Sequence, residues 1–252
     1  MALNRSQIRQ MAAGREMDAS IDQGLRSYML GVYNYMAVAL AVTGVVALVA
    51  ANMFFTGLAG DGPVGLTAAG AAVYQSPLQW VIMFAPLGFV LALSFGVNKF
   101  SASTAQILFF AFAAVMGLSL SWILAAYTAA SIAQTFFISA AAFGALSLWG
   151  YTTKRDLTGF GTFLFMGLIG LIIAMVVNIF LQSAAMEFAI SVIGVLVFAG
   201  LTAFDTQRIK LSYYVGDDGS VAKKKSILGA LALYLDFINL FLFLLRFMGD
   251  RR

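Results

Sequence analysis

Residues 227–246 read ILGALALYLDFINLFLFLLR, twenty residues whose only acid, Asp236, stands in the middle. As a helix this stretch rises about 30 Å, the thickness of a bilayer's hydrocarbon core. It is apolar nearly all round, so it has no wet face to turn outward. Six further runs of the same kind precede it, at about 28–55, 78–97, 104–127, 131–151, 159–181 and 187–213. None shows the two-residue alternation that a membrane barrel needs. The runs predict an all-α membrane protein, a bundle of seven transmembrane helices. Composition agrees: 62% of the 252 residues are hydrophobic and 10% are charged, against about a quarter charged in a soluble domain. Mean hydropathy is +0.92. A water-soluble enzyme, a disordered chain and a disulfide-stapled secreted scaffold are excluded.

The chain has no cysteine and no histidine. Thiolate metal sites, thiol nucleophiles, a Ser-His-Asp triad and histidine-bound zinc are therefore out of reach. Titration near neutral pH falls to a carboxylate or a lysine displaced from its ordinary range.

Residues 1–27 are polar and mixed in charge, a tail ahead of the transmembrane domain at 28–252. The first apolar run begins too late for a signal peptide. Twelve basic residues fall in the tail and alternate loops: Arg5, Arg9, Arg15, Arg26, Lys99, Lys154, Arg155, Arg208, Lys210 and Lys223–Lys225. The intervening loops have none. The positive-inside rule then puts the N-terminus in the cytoplasm. The net charge of +4 reads as orientation, and no nucleic acid is expected as a partner; the bilayer is. Arg246, Arg251 and Arg252 follow the last run; a full crossing puts them outside against the rule, and a re-entrant segment would put them inside. The run is long enough to span and lacks proline, which favours the crossing.

The connection at 56–77 is rich in Gly and Ala, with Asp61 its one acid, and reads as a flexible loop. The small pairs Gly117/Ser121 and Ala140/Gly144 read as close helix packing. There is no convincing internal repeat of the kind inverted-repeat transporters carry. GFG at 159–161 lacks the P-loop lysine.

Two acids sit inside apolar runs: Asp205, in VIGVLVFAGLTAFDTQRIK (192–210), and Asp236. An acid at that depth must face the bundle interior with a partner. Entering near Ile227, the last run carries Asp236 about 13 Å inside. If the sixth helix ran on to Tyr214, Asp205 would lie at the same depth, about 13 Å. Equal depth permits a carboxylate pair. Such a pair shares one proton and titrates as a unit. Fully ionised, it offers up to four oxygens, against the 6–8 that calcium takes, so it makes a weak site suited to passage. Simpler roles compete. Asp205 and Arg208, at i and i+3, can form an intrahelical ion pair; Asp236 and Asn239 can hydrogen-bond a neighbouring helix. Asn178, Asn34 and Thr43 are weaker candidates, and Lys223–Lys225 read as a lipid-surface signal in the loop before the last helix.

AFDTQRIK (203–210) and ALYLDFINLFLFLLRFMG (232–249) resemble the sixth- and seventh-helix motifs of the Bax inhibitor-1 family, and WGYTTKRDL (149–157) resembles its fourth-to-fifth helix junction in bacterial members. The likeness covers nearly the whole chain from about residue 25. It implies a seven-helix bundle with the C-terminal helix central, in the bacterial plasma (inner) membrane. It implies a pH-sensitive calcium leak, with the paired aspartates carried over onto Asp205 and Asp236 as sensor and as ligands to the passing ion. No permanently bound cofactor and no enzymatic activity are expected; calcium is the transported ion. In the leak members an arginine on the second helix latches one aspartate. The second run here, PLQWVIMFAPLGFVLALSFGV, has no charge, which leaves Arg208 or Lys99 as substitutes, or no latch. The rival reading is a regulator of membrane proteins such as a quality-control protease, with the tail as handle. A proton-coupled carrier would need more midplane polar groups, and an intramembrane aspartyl hydrolase a GxGD-like context; both rank below.

Overall fold

The computed structural model describes residues 5–58 and 64–252, with the backbone alone over 5–21. Asp61 and most of the tail's charged side chains, the proposed regulatory handle, lie outside that description. The described chain forms nine helices: α1 Arg5–Phe54, α2 Ala68–Tyr74, α3 Leu78–Gly96, α4 Ala102–Leu120, α5 Ile123–Ala126, α6 Ala129–Thr152, α7 Thr158–Leu181, α8 Ala184–Leu211 and α9 Gly219–Met248. Seven stretches are long and apolar enough to cross a membrane, with α4 and α5 together making the third. The seven runs are thus the seven spans.

The ends of the elements differ from expectation in physical ways. The 56–77 connection is built, not loose, over its described residues. Phe55–Thr56 pairs antiparallel with Gly65–Leu66. Thr67 then caps α2, accepting from Gly70 N and donating to Met53 O at 2.6 Å. The third span breaks at Ser121, whose hydroxyl bonds Leu118 O and the Tyr74 hydroxyl. Helix α8 stops at Leu211, short of Tyr214, and Tyr213 instead packs on Tyr28 with ring centroids 5.6 Å apart. Helix α9 starts at Gly219, because the Asp218 carboxylate caps it by accepting from Ser220 N and Val221 N, both at 2.8 Å. Lys223–Lys225 are therefore helical and not in a loop. An N-cap aspartate is a strong start signal, and the apolar count overlooked it.

Helix α9 packs against α1, α3, α4, α6 and α8. Its apolar window is 67% buried, at least twice the share of any other span. The last helix runs the length of the bundle. At its start Lys225 bonds Asp217 and Ser212 O, beside the α8 end. Beyond its far end, Thr128 N donates to Asp250 O, Arg252 N donates to Ala126 O, and Arg251 pairs with Glu187 at 2.6 Å. These contacts bring the C-terminal arginines to the end of the bundle holding the α5–α6 and α7–α8 junctions, so the segment is not re-entrant.

Close approach is made by glycine at particular places. A Cβ on Gly117 would stand 2.6 Å from Thr43 O, so α4 meets α1 there as the small-residue pattern suggests. Gly144 has open space around it, and the packing reading fails at that position. The tighter contact on α6 is at Gly150, where a Cβ would meet the Ala203 carbonyl of α8.

A candidate carboxylate site between the last two helices

Polar groups in apolar helices must find partners inside the bundle. Most do so through backbone carbonyls or each other. The Thr43 hydroxyl donates to Ala113 O and shares a 2.7 Å bond with the Tyr234 hydroxyl, tying α1 to α4 and α9. Tyr33 meets Ser147 at 2.5 Å, Ser147 meets Thr206 at 2.9 Å, and Thr206 donates to Thr202 O. This hydroxyl chain joins α1, α6 and α8 beside Asp205. Gln207 clamps the α6–α7 junction, accepting from Leu157 N and donating to Arg155 O. Lys210 donates to Tyr151 O at 2.8 Å. Of these residues, the sequence singled out Thr43 alone as a polar candidate within a span, and weakly, while Arg155 and Lys210 counted only as loop charges. The available signal was a hydroxyl or amide interrupting an apolar run.

Asp205 and Asp236 come from facing helices and line one cavity of about 590 Å³, bounded by α3, α7, α8 and α9. Its polar lining is Ser94, Asp205, Arg208, Asp236, Asn239 and Arg246. Asp205 accepts a 3.1 Å ion pair from Arg208, the i, i+3 contact foreseen from spacing. Arg208 is 55% exposed, so water or headgroups screen that pair, and its contribution to stability is small. Asp236 is 4% exposed, and its Oδ2 is buried with no hydrogen-bond partner among the described residues. A buried carboxyl oxygen without a partner is costly, and such groups mark sites of action more often than sites of support.

The remaining expectations sort cleanly. Asn239 lines the cavity, but its amide donates to Leu235 O of its own helix, so it is not a link between helices. Asn178 caps the α7 end, accepting from Ser183 N past Gln182, which has φ 48°. Asn34 faces outward. The second span presents Ser94, not a charge, to the cavity. Among the described residues Lys99 pairs with neither acid, and Arg208 is the cation on Asp205. No cluster of three or more acids, histidines or cysteines that could hold a metal ion occurs among the described residues.

The sequence profile described as "Inhibitor of apoptosis-promoting Bax1" matches residues 25–252, all seven spans and both acids. The chain belongs to the Bax inhibitor-1 family. Relatives in this family include an uncharacterised protein of Caulobacter vibrioides, 47% identical over 99% of this chain and 98% of its own length. A Rickettsia prowazekii protein is 49% identical over 92% of this chain and 93% of its own. The inner membrane protein YbhL of Escherichia coli is 47% identical over 91% of this chain and 94% of its own.

Proposed function

We propose that this Bax inhibitor-1 family protein is a pH-sensitive calcium leak channel of the bacterial inner membrane, with Asp205 and Asp236 as its sensor. The observation that carries this reading is Asp236: a buried carboxyl oxygen without a hydrogen-bond partner among the described residues, on a residue that lines the same cavity as Asp205. The two carboxyls share one proton. A hydrogen bond between two acids needs one of them protonated, and in this reading that proton is the clasp between α8 and α9. Losing it leaves two negative charges side by side. Arg208 draws Asp205 away, and α8 and α9 settle into a second arrangement with a different inner constriction. The ionised pair and the Asn239 carbonyl supply a few oxygens to a calcium ion that keeps part of its water, which is a site for transit.

In this reading α9 is the axis of the bundle, supported by its burial and its five helix neighbours. The N-terminus is cytoplasmic, supported by the basic loops. Arg208 takes the part of the latch, since the second span brings no cation to the cavity. No permanently bound cofactor is required, and the protein is not an enzyme.

The test is calcium flux into proteoliposomes across pH for the wild type, Asp236→Asn, and Asp205→Asn/Asp236→Asn. Wild-type flux should vary with pH, and Asp236→Asn should flatten that dependence. A pH–flux curve unchanged in the double variant would remove the pair as sensor. Absence of flux above empty liposomes, from protein shown to be folded, would remove the channel.

A further inference from the structure

A groove of about 510 Å³ shares no residue with the carboxylate site and is lined by α1 and α6 alone. Across it the Tyr33 hydroxyl meets Ser147 at 2.5 Å, and Ser147 also meets Thr206. The polar groups in its body thus have partners within the protein. The walls around them are apolar, Leu30, Phe143 and Leu148 among them. The groove opens sideways: Leu30 is 53% and Leu148 64% exposed, and nothing stands within 4 Å of a Cβ built on Gly144. Such a body suits an alkyl chain better than water, which needs polar partners.

One end of the groove is charged. Along α1, Arg26 stands seven residues before Tyr33, about 10 Å away. Along α6, Tyr151 stands four residues after Ser147, about 6 Å away. The first span begins and the fourth ends on one side of the bundle, so Arg26 and Tyr151 rim the same end. Lys210 of α8 stands against Tyr151, donating to its carbonyl at 2.8 Å with Nζ 4.9 Å from the ring centre. No ion pair among the described residues engages Arg26 or Lys210. The first apolar run begins at residue 28 and the fourth ends at 151, which sets this rim at headgroup level.

We propose that this groove holds one anionic phospholipid, its phosphate on Arg26 and one acyl chain against Leu30, Phe143, Gly144 and Leu148. An arginine forks two phosphate oxygens, and Lys210 adds its charge from beside Tyr151. Basic pockets between membrane helices select anionic headgroups in this way. A zwitterionic lipid would bring its own ammonium to the same two cations. An apolar helix would fill the body and leave the cations unmatched, and inorganic phosphate would match the cations and leave the body empty. The inference does not rest on the leak reading.

The chain has three tryptophans, Trp80, Trp122 and Trp149. With all three replaced by Phe, Leu148→Trp puts a single tryptophan in the groove. Phe163→Trp puts one on the exposed face of α7, just past the Lys154–Arg155 junction at the same end, so the general pull of basic loops on anionic lipid is common to both. Quenching by brominated phosphatidylglycerol and by brominated phosphatidylcholine is then compared in bilayers. The preference for phosphatidylglycerol should be severalfold greater at 148 than at 163. Arg26→Gln should remove that excess and Arg26→Lys keep part of it, and Gly144→Phe, which puts a ring in the groove, should remove it while leaving 163 unchanged. No excess at 148 would overturn the site, and an excess untouched by Arg26→Gln would overturn the part given to the arginine. Excess inorganic phosphate should change nothing; displacement by it would mean an ion site in place of a lipid site. If the tryptophan-free protein does not fold, native mass spectrometry of the unaltered chain reads the same point. One phosphatidylglycerol per chain should survive energies that strip phosphatidylcholine, and Arg26→Gln should lose it. Equal retention of the two lipids would overturn the proposal, and a lipid-free dimer would give the groove to a second copy.

Discussion

Replacing Gly150 by alanine should loosen the bundle beside the candidate site. A Cβ at Gly150 would stand under 2.5 Å from the Ala203 carbonyl oxygen and 2.9 Å from its carbon, where ordinary contact begins at 3.4 Å. The obstacle is backbone, so no rotamer change relieves it. Helices α6 and α8 must part by about 1 Å, and overpacking of that kind costs about 1–3 kcal/mol. At about 2–4 °C per kcal/mol for a chain of this size, unfolding should fall by roughly 2–12 °C. The control lies on the same helix: Gly144→Ala adds the same methyl where nothing stands within 4 Å. It should be neutral, or gain up to about 1 kcal/mol from helix propensity. Thermal unfolding of both variants in one detergent, followed by intrinsic fluorescence, measures the difference. Asp205 lies two residues beyond Ala203, so Gly150→Ala should also alter the pH dependence of any flux. Equal midpoints for the two variants would refute the close approach of α6 to α8.

Thr43→Val removes the hydroxyl that bonds Tyr234 and Ala113 O, leaving the Tyr234 hydroxyl buried; a loss of about 1–3 kcal/mol is expected, read as a lowered unfolding midpoint, and Tyr234→Phe in the same background should recover part of it. Gln207→Leu should free the α6–α7 junction, so amide exchange at Leu157 should quicken while α9 keeps its protection. The Asp156 carboxylate accepts from the Thr158 hydroxyl and N–H, which holds its pKa below the usual carboxylate value of 3.8. A lowered folded pKa means the contribution is complete above that usual value and is lost as pH falls through the folded one. Protection of the Thr158 amide, corrected for intrinsic exchange, should therefore hold down to about pH 4 and drop below it, while Asp156→Ala should show the weaker protection at every pH.

The spans were legible because lipid leaves a chain few choices: every backbone group must be satisfied within its own helix, and length and hydropathy are then enough. The two acids were legible for the same reason, since an acid in an apolar run must have somewhere to go. Helix ends were harder. Lys223–Lys225 look like a loop until the Asp218 cap is weighed against the charge run. The glycines were not separable by pattern: Gly144 and Gly150 lie six residues apart on one helix, and only the position of the Ala203 backbone distinguishes them.

The most buried of the seven apolar helices is made after the other six. Helix α9 buries Tyr234 against Phe109 and Phe112 of α4 and bonds it to Thr43 of α1, yet α1 and α4 enter the membrane earlier in synthesis. Until α9 arrives, the Thr43 hydroxyl has only Ala113 O, and the inward faces of the earlier spans must be met by lipid, by the insertion machinery or by one another. Assembly of this protein is thus weighted toward a late step, when the helix bearing Asp236 brings Tyr234 to the partners that wait for it on α1 and α4.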